Sequence, residues 1–221
     1  MIKVNRQEIR RYLGYQGINE IDANTEECIE ECLANLEKQV NPKYIYKYFP
    51  IKWNSNSLEF AGIKVIEGKL SNNLSGCNEL AMMAVTLGPA PDMLVRRASL
   101  KETFKAMVYE DYKEFIDDDM YYIDKTMLIR DVVEKGGEVT LFTRPRFSPG
   151  YGDFPLDVQK DFDRALEMPK TIGVSLADSL LMTPTKSITA VIGLSTEGKD
   201  CVTSGCDLCN MKDSCEYSLS R

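Results

Sequence analysis

The stretch from Glu79 to Leu87 constrains the fold more than any other part of the sequence. Its letters, ELAMMAVTL, form a nearly continuous apolar run that ends at Gly88-Pro89. Such a run is typical of a strand buried in the middle of a sheet, because both of its faces are mostly apolar. The sequence therefore predicts a buried central strand at 79–87.

Helices and further strands are predicted on both sides of this strand. Helical spacing of apolar residues predicts helices near 4–15, at 24–40, at 70–77, across 91–136 with a break around 115–119, and at 156–166. Alternation and β-branched content predict strands at 44–53, 60–66, 139–143, 172–181 and 186–194. The strands at 44–53 and 60–66 are expected to form a hairpin, with the rings of the first strand in the core.

This order of elements indicates an α+β fold, a twisted antiparallel sheet flanked by helices. At 221 residues the chain is long enough for one sizeable core and short for two. We therefore predict one domain at residues 1–198, followed by a small cysteine-rich tail at 199–221.

Composition excludes several classes of function. The formal net charge is −7, which argues against a general nucleic-acid binder. The sequence contains no histidine, so Ser-His-Asp and Cys-His nucleophiles and HExxH zinc sites are impossible within it. No apolar run approaches the roughly 20 residues that a membrane helix needs, and the N-terminus has no signal-peptide pattern. We expect a soluble, cytoplasmic protein.

The segment Arg144–Pro155 is a long loop between a predicted strand and a predicted helix. Three prolines and two glycines fix its backbone without repeating structure, while arginines and aromatic rings supply recognition chemistry. A rigid backbone that carries Arg and Tyr is typical of a binding loop. The alternative is a surface loop whose glycines only satisfy turn geometry.

Motifs in and around this loop resemble a known family. Arg146-Phe-Ser-Pro-Gly150-Tyr151 is similar to the R-x-x-x-G-Y motif of the activation (reactivation) domain of cobalamin-dependent methionine synthase. The segment 172–194, with Asp178-Ser179 at the family's Glu-Ser position, resembles a second family segment. Arg11–Tyr15 and Val85–Gly88 resemble short free-standing relatives, so that the resemblance spans residues 5 to about 195.

The resemblance implies a function and a binding site. Such a domain docks over the corrinoid of a methyltransferase, presents S-adenosylmethionine, and allows inactive Co(II) to be reduced and remethylated. It implies that Arg146 pairs with the methionine carboxylate and that Pro149, Gly150 and Tyr151 shape the adenosyl pocket. The implied partner is a corrinoid-dependent methyltransferase, or a methionine synthase that lacks its own activation domain. No catalytic residue is assigned, because the cobalt nucleophile belongs to the partner.

The sequence also departs from the family. After the last predicted strand it reads Ser195-Thr-Glu-Gly-Lys-Asp200, without the aromatic residues that help the family's domain hold S-adenosylmethionine. The family's N-terminal acidic ligand has no clear counterpart. One alternative is therefore a non-catalytic module that recognises a corrinoid protein without this ligand. Another is an unrelated iron–sulfur redox protein.

The tail concentrates four cysteines, Cys201, Cys206, Cys209 and Cys215, within fifteen residues. Reduced thiols at such spacing suit structural zinc or an iron–sulfur cluster, and redox-active thiols without metal are the remaining possibility. We favour iron–sulfur, because the suspected function requires an electron. Cys28 and Cys32 also share a helix face, but without a third ligand nearby we interpret them as core residues.

Overall fold

The structure, a computed structural model, describes residues 13, 15, 21–110 and 142–196. Helix α1 (Ala23–Gln39) is followed by strands β1 (Lys43–Pro50), β2 (Lys52–Asn54), β3 (Ser57–Phe60) and β4 (Ile63–Ile66). Helix α2 (Lys69–Asn73), strand β5 (Glu79–Thr86) and helix α3 (Ala90–Ala98) come next, and residues 103–110 are also helical. The second part contains β6 (Phe142–Thr143), a 3-10 turn (Leu156–Val158), α4 (Gln159–Leu166), α5 (Met168–Thr171), β7 (Ser175–Leu176), β8 (Met182–Thr183) and β9 (Ser187–Ser195).

Strand β5 lies inside a four-stranded antiparallel sheet of order β1-β5-β9-β6. It pairs with β1 on one side and β9 on the other, so that Ala81 lies opposite both Tyr48 and Ile192. Every residue of β5 after Glu79 is buried. The prediction of a buried central strand is confirmed.

The two faces of β5 enter two separate cores. Ala81, Met83 and Val85 pack in one core with residues of α1 and α3, among them Leu36 and Leu94. Leu80, Met82 and Ala84 pack in the other, with residues of β3, β4, α2 and α4. Side chains alternate across a strand, so an apolar residue at every position requires cover on both faces. The predicted α+β architecture, antiparallel sheet flanked by helices, is confirmed.

Helix α1 agrees with its prediction at both ends. Asp22 caps it, because its Oδ1 accepts a hydrogen bond from the Thr25 backbone N–H at 3.0 Å. Cys32 is fully buried, and Cys28 packs against the same core. The interpretation of these cysteines as core residues is confirmed.

The predicted strand at 44–53 is wrong as a single element, because the chain changes sheets at Ile51. The Ile51 N–H donates to Asn78 O at 2.8 Å, after which β2 pairs with β3 in a separate three-stranded sheet. The hairpin partner is 57–60 rather than 60–66, since a turn at Ala61-Gly62, both with positive φ, separates β3 from β4. Tyr44 and Trp53 are 43% and 44% exposed, so the expectation that all rings are core is also wrong.

The C-terminal part of the described chain agrees with the prediction only in part. The helix at 156–166 and the strand at 186–194 are confirmed. The strand at 172–181 is wrong: Ile172 ends α5, Gly173 has φ +74°, and β7 is a two-residue strand in a hairpin with β8. Glycine adopts that left-handed conformation readily, and it turns the chain where a strand was expected.

Several predictions fall on residues that the structure does not describe. The helical signal at 91–136 is interrupted at 99–102, and the break expected around 115–119 lies outside the described residues. So do most of the motif at Arg11–Tyr15 and the whole tail at 199–221. No helix within the described ranges is long and apolar enough to cross a bilayer.

Candidate functional site

The loop that carries the predicted site begins as an extension of the sheet edge. Beyond β6, the Arg144 N–H donates to Gly193 O at 2.8 Å, and Phe147 and Val191 exchange two backbone hydrogen bonds, each of 2.9 Å. Arg146 therefore lies between two positions whose backbone is fixed against β9. Its side chain is half-buried. The guanidinium is carried by a backbone that is hydrogen-bonded to β9 on both sides of Arg146.

The following turn closes on itself through backbone hydrogen bonds. The Gly150 N–H donates to Phe154 O at 2.8 Å, and the Phe154 N–H donates to Tyr151 O at 3.0 Å. Gly150 has φ +91°, and a Cβ there would lie 3.3 Å from Leu156 Cδ1. A residue with a side chain would be strained at this position, which explains the glycine of the motif.

Phe154 fixes the base of the loop in the core. Its side chain is only 1% exposed. Its ring centroid lies 6.4 Å from those of Phe60 and Phe147 and 6.3 Å from that of Phe162. Tilted aromatic pairs at such distances contribute stabilising energy in addition to that from the burial of their apolar surface. The loop is therefore held between strand β9 and an aromatic cluster.

The four residues predicted to bind S-adenosylmethionine lie on this one loop, and their exposure differs. Pro149 is buried, Arg146 is half-buried, Gly150 is exposed, and Tyr151 is 69% exposed. The donor set suits a carboxylate next to a flat aromatic group: a guanidinium offers two parallel N–H donors, and a phenol ring offers a face for stacking. Backbone without a side chain at Gly150 leaves room for close approach. Their role as ligands stays a prediction.

Sequence reasoning did not single out Arg144, yet it is the more deeply buried arginine of the loop. Its side chain is 2% exposed, and its Nη2 donates to Ser75 O at 3.2 Å. Its Nε has no hydrogen-bond partner within the described part of the chain. Glycines make space for it, because a Cβ on Gly193 would lie 3.0 Å from Arg144 Cγ. Arg144 thus ties the loop to the turn at Ser75-Gly76.

Asp153 and Gly68 were also missed, because their contact joins distant parts of the chain. Asp153 Oδ1 accepts a hydrogen bond from the Leu70 N–H at 3.0 Å. The only sequence signal is a glycine before α2, and a glycine alone does not identify its partner.

Metal binding cannot be placed on the described residues. Within 21–110 and 142–196 no three His, Cys, Asp or Glu side chains form a group that could hold a metal ion. Cys201, Cys206, Cys209 and Cys215 lie outside these ranges. The metal site in the tail stays a prediction.

An open groove of about 670 Å³ is lined by residues 44–49 of β1. Strand β1 is the edge of the central sheet opposite to β6. The groove therefore lies across the sheet from the loop at Arg146, and none of the predicted site residues lines it.

Comparison with solved structures identifies a relative in fold. The crystal structure of the MetH reactivation domain bound to AdoHcy matches with a TM-score of 0.63 and 16% sequence identity. The match covers 93% of this chain and 78% of that chain. The chain has the fold of the MetH reactivation domain. At this identity the likeness concerns the fold alone.

Sequence comparisons add little to the structural one. A search of curated proteins finds no match. A family model described as "Predicted AAA-ATPase" matches residues 107–148, well short of half the chain and largely outside the described residues. The sequence lacks a complete G-x-x-x-x-G-K-[ST] phosphate-binding loop: the nearest stretch, Gly193 to Lys199, is followed by Asp200, and Gly193 lies within β9. This match assigns no family.

Proposed function

We propose that the chain binds an S-adenosyl ligand on the loop 146–151 and serves in the reductive activation of a corrinoid-dependent methyltransferase. One observation carries the proposal. The R-x-x-x-G-Y motif lies on a backbone-fixed loop of a chain with the fold of the MetH reactivation domain, whose crystal structure holds AdoHcy. The motif and the fold each point to the same ligand class.

Each residue of the loop has a distinct part in this proposal. Arg146 pairs with the carboxylate of the methionine moiety, which suits the bidentate geometry of a guanidinium. The backbone at Pro149-Gly150 approaches the adenosyl group, and Tyr151 covers it. The work of the chain is positioning, because a bound ligand held in line with its acceptor reacts far faster than a free one.

The acceptor is carried by another protein. When bound, S-adenosylmethionine supplies a methyl group on a positively charged sulfur. Transfer of that methyl group to the partner's cobalt, after one electron has reduced it from Co(II) to Co(I), leaves S-adenosylhomocysteine. The partner in this proposal is a corrinoid methyltransferase, such as a methionine synthase without its own activation domain. The chain then acts as an activator of that partner.

Isothermal titration with AdoHcy and S-adenosylmethionine tests the ligand. We expect Arg146→Ala to weaken binding roughly tenfold or more, because hydrogen bonds to charged groups contribute about 1.5–3 kcal/mol. Arg164→Ala is the matched control: Arg164 is exposed, belongs to α4 rather than to the loop, and pairs with Asp161 at 3.0 Å. Equal affinities of the two variants would contradict the assignment of Arg146, and no binding by the wild type would contradict the ligand.

A second candidate is a docking module that binds the corrinoid protein without the ligand. The absence of aromatic residues in Ser195–Asp200 favours it. The two candidates differ in one measurement: binding of a corrinoid protein that survives Arg146→Ala and does not respond to AdoHcy supports the docking module.

We extend this proposal to the cysteine tail, which supplies the electron that reduces the partner's cobalt. An iron–sulfur cluster on Cys201, Cys206, Cys209 and Cys215 could accept one electron from a donor and pass it to the cobalt, whereas zinc could not. Metal analysis of anaerobically purified protein tests this part independently of ligand binding.

A further inference from the structure

The loop 146–154 has a second attachment, far from β9 in the chain. Asp153 extends its carboxylate to the start of α2, where Oδ1 accepts the Leu70 N–H at 3.0 Å. This hydrogen bond joins residues that are 83 positions apart in the chain. The contact therefore forms only when the two segments are in their native arrangement.

Gly68 leaves the space that this carboxylate occupies. A Cβ on Gly68 would lie 1.7 Å from Asp153 Oδ2 and 2.9 Å from its Cγ. The φ of Gly68 is 174°, an extended conformation open to any residue. Glycine at position 68 thus leaves space for the contact and does not serve a special backbone conformation, and a side chain there would displace the Asp153 carboxylate.

The element that receives Asp153 is held by local hydrogen bonds and by buried side chains. Ser71 Oγ accepts the Gly68 N–H at 2.8 Å and donates to Gly68 O at 2.9 Å. Leu70 and Leu74 are fully buried. The loop also lies flat against this turn, since a Cβ on Gly152 would meet Lys69 Cδ at 3.1 Å.

We propose that Asp153 and Gly68 form a latch that positions the candidate binding loop. One end of the loop is fixed by the Phe147 pairing with β9, and the latch fixes the other end against α2. Gly150 and Tyr151 lie between these two attachments. Asp153 is a positioning residue: it acts on the ligand through the placement of Gly150 and Tyr151. This inference rests on the proposed function for its ligand.

The test uses the full chain with Asp153→Ala, Gly68→Ala and the double variant. Either single change releases the latch. Each is therefore expected to weaken AdoHcy binding about fivefold, because the loss of one capping hydrogen bond lowers the fraction of molecules whose loop is in the binding conformation by about that factor. The double variant is expected to be no weaker than either single variant, since the second change removes nothing further. Asp153→Asn retains an oxygen for the Leu70 N–H and is expected to restore most of the affinity.

Two controls separate the latch from general effects. Asp157→Ala removes an exposed carboxylate three residues beyond the loop, and Gly173→Ala strains a left-handed backbone position with φ +74° and no neighbour within 4 Å. Both are expected to leave AdoHcy affinity unchanged. Affinity losses in Asp153→Ala and Gly68→Ala that add in the double variant, or that Asp157→Ala reproduces, would overturn the latch.

Amide hydrogen exchange tests the latch even without a ligand. The Gly150 and Phe154 amides, which close the loop, are expected to exchange faster in Asp153→Ala and Gly68→Ala, whereas the amides of β5 and β9 keep their protection. Unchanged exchange at Gly150 and Phe154 would overturn the latch. If the wild type fails to bind AdoHcy while exchange responds as expected, the proposed function fails and the latch stands.

Discussion

At the scale of single residues, two groups with raised pKa values lie in the core across the sheet from the loop. Burial raises the pKa of the Cys32 thiol from 9.0 to about 11. Burial likewise raises the pKa of Tyr109 from 10.0 to about 12. The two side chains are hydrogen-bonded to each other. Such thiols are poor nucleophiles near neutral pH, which agrees with a structural role for Cys32.

These pKa shifts predict a loss of stability in alkali. The folded state holds the Cys32 proton more tightly than the unfolded state. The contribution of the protonated thiol to the free energy of unfolding is therefore complete below pH 9 and is lost as the pH rises from 9 to 11. We expect the stability advantage of the wild type over Cys32→Ala to shrink by about 2–3 kcal/mol over this range. Urea unfolding under reducing conditions at pH 8 and pH 11 measures the difference.

Tyr109→Phe provides a parallel series. The free energy of unfolding of the wild type should fall relative to that of Tyr109→Phe between pH 10 and 12, the interval set by the raised pKa of Tyr109. A stability difference between the wild type and Cys32→Ala that is constant from pH 8 to 11 would show that the thiol is not held protonated by the fold.

At the scale of elements, strand β9 joins the central sheet to the candidate site. It pairs with β5 along eight residues and also holds Arg144 and Phe147 of the loop. Gly193 is the point of closest packing, because a Cβ there would lie 2.8 Å from Cys77 Sγ and from Leu74 Cδ2. A glycine in a strand often marks such a close approach.

We predict that Gly193→Ala destabilises the protein by about 1–3 kcal/mol, because the added methyl overpacks a filled core. Gly62→Ala is the comparison, since a Cβ at Gly62 meets nothing within 4 Å but the φ of +82° is unfavourable for alanine. Backbone strain of this kind costs roughly 1 kcal/mol or more. Thermal or urea unfolding of both variants gives the comparison, and a Gly193→Ala protein as stable as the wild type would show that the core can yield.

At the scale of the whole molecule, the central sheet separates two environments. The loop 146–154 lies on the β6 side of β9 and contacts α2, while the groove lies along β1 at the opposite edge. A ligand on the loop and a partner over it would therefore lie on the β6 side of the central sheet, at the edge opposite to the groove.

The cysteine tail predicts an observable property of the 221-residue chain. Anaerobic purification should give a brown protein whose visible absorbance bleaches on reduction, and Cys206→Ser should abolish the colour because a cluster needs all four thiolates. Cys28→Ser, which changes a half-buried core cysteine, should leave the colour unchanged. The far-ultraviolet circular dichroism of both variants should match the wild type. Stoichiometric zinc, or no metal, would refute the electron relay.

The elements that could be predicted from sequence are those whose pattern has one structural solution. An apolar run such as 79–87 needs cover on both faces, and an amphipathic segment such as 156–166 needs one buried face, so local pattern fixes each of them. The strands at 44–53 and 172–181 were mispredicted at Ile51 and Gly173. At these two positions the chain changes partner or direction, and alternation of side chains does not reveal such a change.

The sequence by itself determined the class of fold, the central strand and the motif from Arg146 to Tyr151, because each depends on residues near one another in the chain. Only the tertiary structure decided how the loop is held. Arg144 against Ser75, Phe154 against Phe60 and Asp153 against Gly68 are contacts between distant segments. Their distances depend on the path of the whole chain, which no local pattern encodes.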